Sequence, residues 1–152
     1  QAGLKEALNY DQEVMVEQFI AGREITGGIL GNGELTALPL VEIIPGESHP
    51  FFNYEAKYQP GASQEICPAP LDAASTARAQ EYARLAHRAL NLRGYSRTDM
   101  MVDEAGTMFV LETNTIPGMT PTSLLPQAAQ AHGLSFGALL DRLLELALED
   151  RA

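Results

Sequence analysis

Two short segments, Gly94-Tyr-Ser-Arg-Thr-Asp99 and Leu111-Glu-Thr-Asn114, hold the residues whose types and spacing can do chemistry. Alternate side chains of an extended strand share a face, so Arg97 and Asp99 point one way on the first segment, as do Glu112 and Asn114 on the second. A hairpin between the segments would bring the four groups together. Carboxylate and amide oxygens are hard ligands that suit Mg2+ or Mn2+, and no His or Cys is placed to make a zinc site. The competing reading is a cross-strand salt bridge on a solvated face, and from spacing alone it is the commoner outcome. The residues after Asn114 shift the balance. Thr115-Ile-Pro-Gly-Met-Thr-Pro121 is a loop whose glycine and exposed N–H groups are of the kind that bind oxyanions.

These segments need elements to hold them. Tyr95 to Val102 and Met108 to Glu112 read as strands joined by the turn Asp103 to Gly106. Upstream, Glu13 to Ile20 alternates as a strand would, and a second candidate runs from Arg23 to Leu30. Asn32-Gly33 is the pair that type I′ hairpin turns prefer, leading into a strand from Leu35 to Ile44. Residues Pro45 to Pro70, rich in proline and aromatics, read as a long functional loop.

Asp72 caps a predicted helix from Ala73 to Leu90, with Ala79, Tyr82, Ala83, Ala86, Ala89 and Leu90 on its apolar face. A short helix is expected over Ser123 to His132, closed by Gly133. Ser135 caps a last helix with Phe136, Leu139, Leu140, Leu143, Leu144, Ala147 and Leu148 at core spacing. The first segment, Ala2 to Asn9, reads as the second half of a helix. The fold class expected is α+β, antiparallel strands with helices packed on one side.

Composition narrows the function classes. Ten Lys and Arg against 20 Asp and Glu give a formal charge of -10 with no basic cluster, which argues against nucleic acid. A single cysteine, Cys67, allows no intrachain disulfide and fits a reducing cytoplasm. No apolar stretch has the ~20 residues that span a bilayer, so no membrane partner is expected.

The run Gly94 to Asp99, the run Leu111-Glu-Thr-Asn-Thr-Ile-Pro-Gly-Met-Thr-Pro-Thr-Ser-Leu124 and Tyr54-Glu-Ala-Lys-Tyr58 upstream together resemble the D-alanine-D-alanine ligase family of the ATP-grasp superfamily, over nearly the whole chain. The resemblance implies ATP, two ions of Mg2+ or Mn2+, and D-alanine as small-molecule substrate, for peptidoglycan precursor synthesis. It also implies roles. Asp99, Glu112 and Asn114 match metal ligands, with Glu112 bridging two ions. Glu17, with Phe19 and Ile20 beside it, matches the adenine-contacting hinge, and Glu24 a partner of the ribose hydroxyls. Phe51, Met101 and Leu111 match apolar walls for adenine, although on the residues alone they read as core.

Lys57 matches a phosphate-binding lysine, and Tyr58 belongs to a loop that closes over substrates. Arg97 and the N–H of Gly118 match groups that stabilise a tetrahedral oxyanion. Ser123 and the N–H of Leu124 match the cradle for the second substrate's carboxylate, a position that suits a helix N-terminus.

The family also uses an N-terminal domain and the first half of the central ATP-grasp domain. Residues 1–152 therefore read as the C-terminal part of that domain, inactive alone, from a full-length protein that is a cytoplasmic homodimer. Gln18 stands where many relatives have Lys, and Gly27 beside Gly28 is expected to weaken its strand. Two alternatives stay open: a D-alanine-D-lactate ligase, against which Tyr58 argues, and a non-catalytic nucleotide-binding domain that keeps the fold.

Overall fold

The computed structural model describes residues 2–46 and 63–149. Its elements run α1 (Ala2–Ala7), β1 (Arg23–Leu30), β2 (Thr36–Ala37), β3 (Val41–Pro45), β4 (Ser63–Ile66), α2 (Ala73–Ala89), β5 (Tyr95–Val102), β6 (Met108–Asn114), α3 (Leu124–Ala131) and α4 (Phe136–Leu148). The strands make one six-stranded sheet in the order β4-β3-β1-β5-β6, with β2 pairing to β1, and every pairing is antiparallel. No described helix is long and apolar enough to cross a membrane.

The local signals with a mechanism hold. Asp72 accepts from the N–H groups of Ala74 and Ser75 at 3.0 and 2.9 Å, and the Ser75 hydroxyl first, with these backbone bonds, holds its carboxyl below the usual range. Gly106 takes a positive φ in the turn between β5 and β6, as Gly133 does after α3. Ser135 accepts from the N–H of Ala138 at the start of α4.

Other expectations are corrected. Glu13 to Ile20 is not a strand, because it has no ladder partner among the described residues, and alternation without pairing leaves an extended segment. Asn32-Gly33 is no type I′ turn, since neither residue takes the positive φ that such a turn requires, and Gly31 takes it instead. Asn32 is used for tertiary contacts: its amide donates to Leu146 O at 2.8 Å and accepts from the N–H of Gly94 at 2.8 Å. The expected strand over 35–44 is broken into β2 and β3. The proline-rich stretch contains β4, which pairs with β3 through Glu42↔Ile66 to Pro45↔Ser63.

Helices cover both faces of the sheet, not one. Gly27 and Gly28 are neighbours in β1 and so face opposite ways. A Cβ on Gly27 would come within 3.2 Å of Ala83 on α2, whereas one on Gly28 would come within 2.6 Å of Leu125 on α3. The paired glycines, expected to weaken the strand, let a helix approach each face closely. One core gathers Ile25, Leu40, Met100 and Val102 beneath Ala79 of α2, and the other gathers Leu30, Val41 and Ile43 beneath Leu125, Ala128, Ala129 and Leu139. The buried residues of α4 are Leu139 and Leu146, and its Leu140, Leu144 and Leu148 face solvent.

The inner face of α2 also differs from expectation. Ala79 and Ala83 are buried as expected, but Ala89 and Leu90 are exposed and His87 is buried in their stead. His87 Nδ1 lies 2.8 Å from Ser96 Oγ on β5, and its Nε2 has no partner among the described residues. Burial lowers its pKa below the ordinary 6.5, so the folded chain takes up this proton at lower pH than the unfolded chain does. Unfolded chains take up this proton as pH falls through about 6.5, before the native state does, so this contribution to stability is whole above that pH and is lost as pH falls below it. Urea midpoints compared between pH 7.5 and 5.5 should show a steeper loss for the wild type than for His87→Asn. Equal slopes would refute the assignment.

Candidate active site

The face of the sheet that carries Thr26, Gly28 and Leu30 is covered by α3 and α4 at one end only. At its other end the segment Met15 to Gly22 runs beside the exposed sheet and leaves a cleft of about 960 Å³. Glu17, Phe19, Ile20, Glu24, Asp99, Met101, Leu111 and Glu112 all line it. Eight of the residues singled out in the sequence thus meet in one hollow. A smaller hollow of about 280 Å³, between Arg93, Tyr95, Leu143 and Glu149, contains none of them. Phe51, Lys57 and Tyr58 lie outside the described residues.

The polar end of the cleft is built by the β5–β6 hairpin. Arg97 opposes Asn114 and Asp99 opposes Glu112, so the predicted convergence occurs. It depends on a bulge: Met100 opposes Val110, which leaves Leu111 as an extra residue in β6. An unbroken register from the turn would have set Leu111, not Glu112, across from Asp99.

Arg97 grips Asp99 with two bonds, Nε to Oδ1 at 3.0 Å and Nη2 to Oδ2 at 2.9 Å, and both side chains are mostly buried. The simpler reading expected a cross-strand salt bridge on a solvated face, whereas the pair that forms runs along β5 itself and is mostly buried. Glu112 is exposed and makes no ion pair with Arg97 among the described contacts. Instead Asn114 Nδ2 donates both to Asp99 Oδ2, at 3.1 Å, and to Glu112 Oε1, at 3.2 Å. One positive dipole end therefore sits between two carboxylates.

That arrangement is a fit test for a divalent cation. Two carboxylate oxygens already share one electropositive neighbour, and half a turn of the Asn114 amide would present its oxygen to the same point. Two carboxylates and an amide form an all-oxygen set, suited to a hard ion that keeps waters and takes phosphate oxygens for the rest. Among the described residues no three His, Cys, Asp or Glu side chains form a metal-binding group, so the set rests on two carboxylates and the Asn114 amide.

One residue of the site escaped the sequence reading. Thr26 lies opposite Asp99 on β1, is buried, and donates from Oγ1 to Asp99 Oδ1 at 2.6 Å. A β-branched residue within a strand reads as ordinary strand propensity. Only the β1–β5 register, a pairing over some 70 residues of sequence, shows the contact.

Beyond β6 the chain turns through Pro117 and Gly118 into α3. Ser123 is the N-cap of α3 but does not cap it: its Oγ accepts from the N–H of Thr120 at 3.1 Å and lies 2.8 Å from Thr120 Oγ1. A Cβ at Gly118 would stand 2.9 Å from that same Oγ, so any larger residue here would have to displace the Ser123 hydroxyl. The Leu124 side chain is buried in the α3 core, while its N–H belongs to the first helical turn, where N–H groups lack carbonyl partners within the helix. Gly118, Ser123 and Leu124 are thus gathered at one loop-to-helix junction, but they do not line the cleft itself.

Comparison with known proteins agrees with this architecture. A D-alanine-D-alanine ligase from Syntrophobacter fumaroxidans is 62% identical over 149 residues, which are 98% of this chain and 48% of that relative. The solved D-alanine-D-alanine ligase from Bacillus anthracis, complexed with ATP, superposes with a TM-score of 0.80 at 33% identity, over 97% of this chain and 45% of that one. The VanG D-Ala:D-Ser ligase from Enterococcus faecalis gives 0.80 at 37% identity, over 97% and 42%. The chain spans under half the length of these relatives. The model of the family described as D-ala D-ala ligase C-terminus matches residues 1–145. A bulged hairpin joining Asp99 to Glu112, a cleft beside it and a match over almost every residue lead to one conclusion: the chain belongs to the D-ala D-ala ligase C-terminus family.

Proposed function

We propose that this chain is the C-terminal portion of an ATP-dependent ligase that joins two D-alanine molecules through an acyl phosphate. The observation that carries the reading is the meeting of Asp99 and Glu112, with Arg97 and Asn114 bonded to them, at one end of a cleft with apolar walls. Met101 and Leu111 would flank the adenine, Glu17, Phe19 and Ile20 its edge, and Glu24 the ribose. Asp99, Glu112 and Asn114 would hold one or two ions of Mg2+ or Mn2+. Bound there, such ions neutralise charge on the phosphate oxygens during transfer.

In this reading a carboxylate oxygen of the first D-alanine attacks the γ-phosphorus, and ADP leaves. The amine of the second then attacks the acyl carbonyl, and phosphate leaves with loss of the ammonium proton. The Arg97 guanidinium and the Gly118 N–H would face the oxyanion that forms between these events. Ser123 and the Leu124 N–H would hold the second carboxylate at the start of α3. Lys57 and Tyr58, whose roles rest on the resemblance alone, would bind phosphate and close the site. The cytoplasmic location, the homodimer and the place in peptidoglycan precursor synthesis rest on the resemblance as well.

The test is release of phosphate from Mg-ATP by the full-length protein, with and without D-alanine. D-serine and D-lactate belong in the same assay as second substrates, because a D-Ala:D-Ser ligase shares the fold equally well. Stimulation by D-alanine, with D-alanyl-D-alanine as product, is expected. Nucleotide binding without any stimulated release would leave a non-catalytic domain and end the ligase reading.

A further inference from the structure

Asp99 is held by three side chains, and two of them are needed elsewhere. Arg97 bonds both its oxygens, Asn114 bonds Oδ2, and Thr26 bonds Oδ1. On the function proposed above, on which this inference rests, Arg97 also serves an oxyanion and Asn114 turns its oxygen to a cation. Asn114 then gives up its bond to Oδ2, and Arg97 divides its five N–H donors between two anions. The Thr26 bond is the one that no ligand draws on.

Thr26 suits such a task. It is 2% exposed, sits inside the continuous β1–β5 ladder, and as a β-branched residue has little rotamer freedom. Its hydroxyl has one proton and two acceptors in reach, Asp99 Oδ1 at 2.6 Å and the Thr98 carbonyl at 3.2 Å. The shorter bond goes to a charged group, so the carboxylate takes the proton. A carboxylate otherwise turns easily about its last torsion. The oxygen that Thr26 does not hold, Oδ2, is the one that shares Asn114 Nδ2 with Glu112 Oε1.

We propose that Thr26 is the positioning residue of the cation site: by fixing Oδ1 it keeps Oδ2 of Asp99 turned toward Glu112 when Arg97 and Asn114 are engaged with ligands. Groups that orient metal ligands from behind typically set affinity by about 10- to 100-fold. The step requires no chemistry at Thr26 itself.

The experiment is Mn2+ titration of the full-length protein, followed by loss of the free-ion electron paramagnetic resonance signal, with phosphate release measured against Mn2+ concentration in parallel. Thr26→Val keeps the shape and removes the hydroxyl, and Thr26→Ser keeps the hydroxyl and loses a methyl. Val is expected to weaken Mn2+ binding by about ten-fold or more, and Ser to stay within about two-fold of wild type. The half-maximal Mn2+ concentration should rise for Val, while KM for ATP at saturating Mn2+ should not. A role in folding alone would move the melting temperature of Val without this split. Should Val fail to fold, Thr26→Ala removes the same hydroxyl without adding bulk. Wild-type affinity in a folded Val or Ala variant overturns the proposal and leaves the ligase reading standing. Failure of the wild type to bind Mn2+ at all would instead sink the cation site that both share.

Discussion

Glu112→Gln should lower D-alanine-dependent phosphate release by about 10²–10³-fold and leave the unfolding midpoint almost where it was. The two halves of that expectation come from the same observation. Glu112 is exposed, and its described bond is a single one, accepted from Asn114 at 3.2 Å. Amide replaces carboxylate at nearly the same volume, so the fold loses little, within about 0.5 kcal/mol. What is lost is one negative charge of the pair that would hold the cation, and with it the oxygen proposed to bridge two ions. Steady-state rates beside thermal melts would decide it. A variant that kept a tenth of the wild-type rate would take Glu112 out of the metal set.

Leu125→Ala should do the reverse, costing about 2–5 kcal/mol of stability through a cavity. Leu125 is 1% exposed, and its Cδ1 fills the space that a side chain on Gly28 would occupy. Backbone hydrogen bonds keep β1 from moving in to fill the gap, so the cavity stays largely open. Leu125 also follows Ser123 and Leu124, so the loss should raise KM for the second substrate more than it lowers kcat. Urea titration gives the first number and substrate saturation curves the second. A loss under about 1 kcal/mol would mean that α3 is not anchored through this residue.

The sequence is most legible where a feature depends on neighbours along the chain. The cap at Asp72, the turn ending at Gly106 and the start of α4 at Ser135 are all readable, since each is set by a side chain bonding within a few residues. The β5–β6 pair is readable for the same reason. Long-range pairing leaves weaker traces. Ser63-Gln-Glu-Ile66 has no pattern that marks a strand, and it becomes β4 only because β3 offers an edge. Glu13 to Ile20 has the pattern and no ladder partner among the described residues. His87 escapes notice because a histidine interrupts an alanine-rich face, yet its contact with Ser96 makes it part of that face.

The site follows the same division. Asp99, Glu112 and Asn114 can be suspected from alternation, but the role proposed for them rests on the resemblance, and their register comes from a bulge that alternation does not reveal. Thr26 needs the β1–β5 pairing.

The extra residue in β6 has a consequence for side-chain parity. Asp99 and Met101 lie two apart and share a face, so their partners Glu112 and Phe109 share it as well, although one number is even and the other odd. Before the bulge the odd positions of β6 look into the cleft, and after it the even ones do. A single phase slip thus lets these seven residues present an apolar half and a half bearing Glu112 and Asn114 to the same side, where the same residues in uniform phase would have turned one half away.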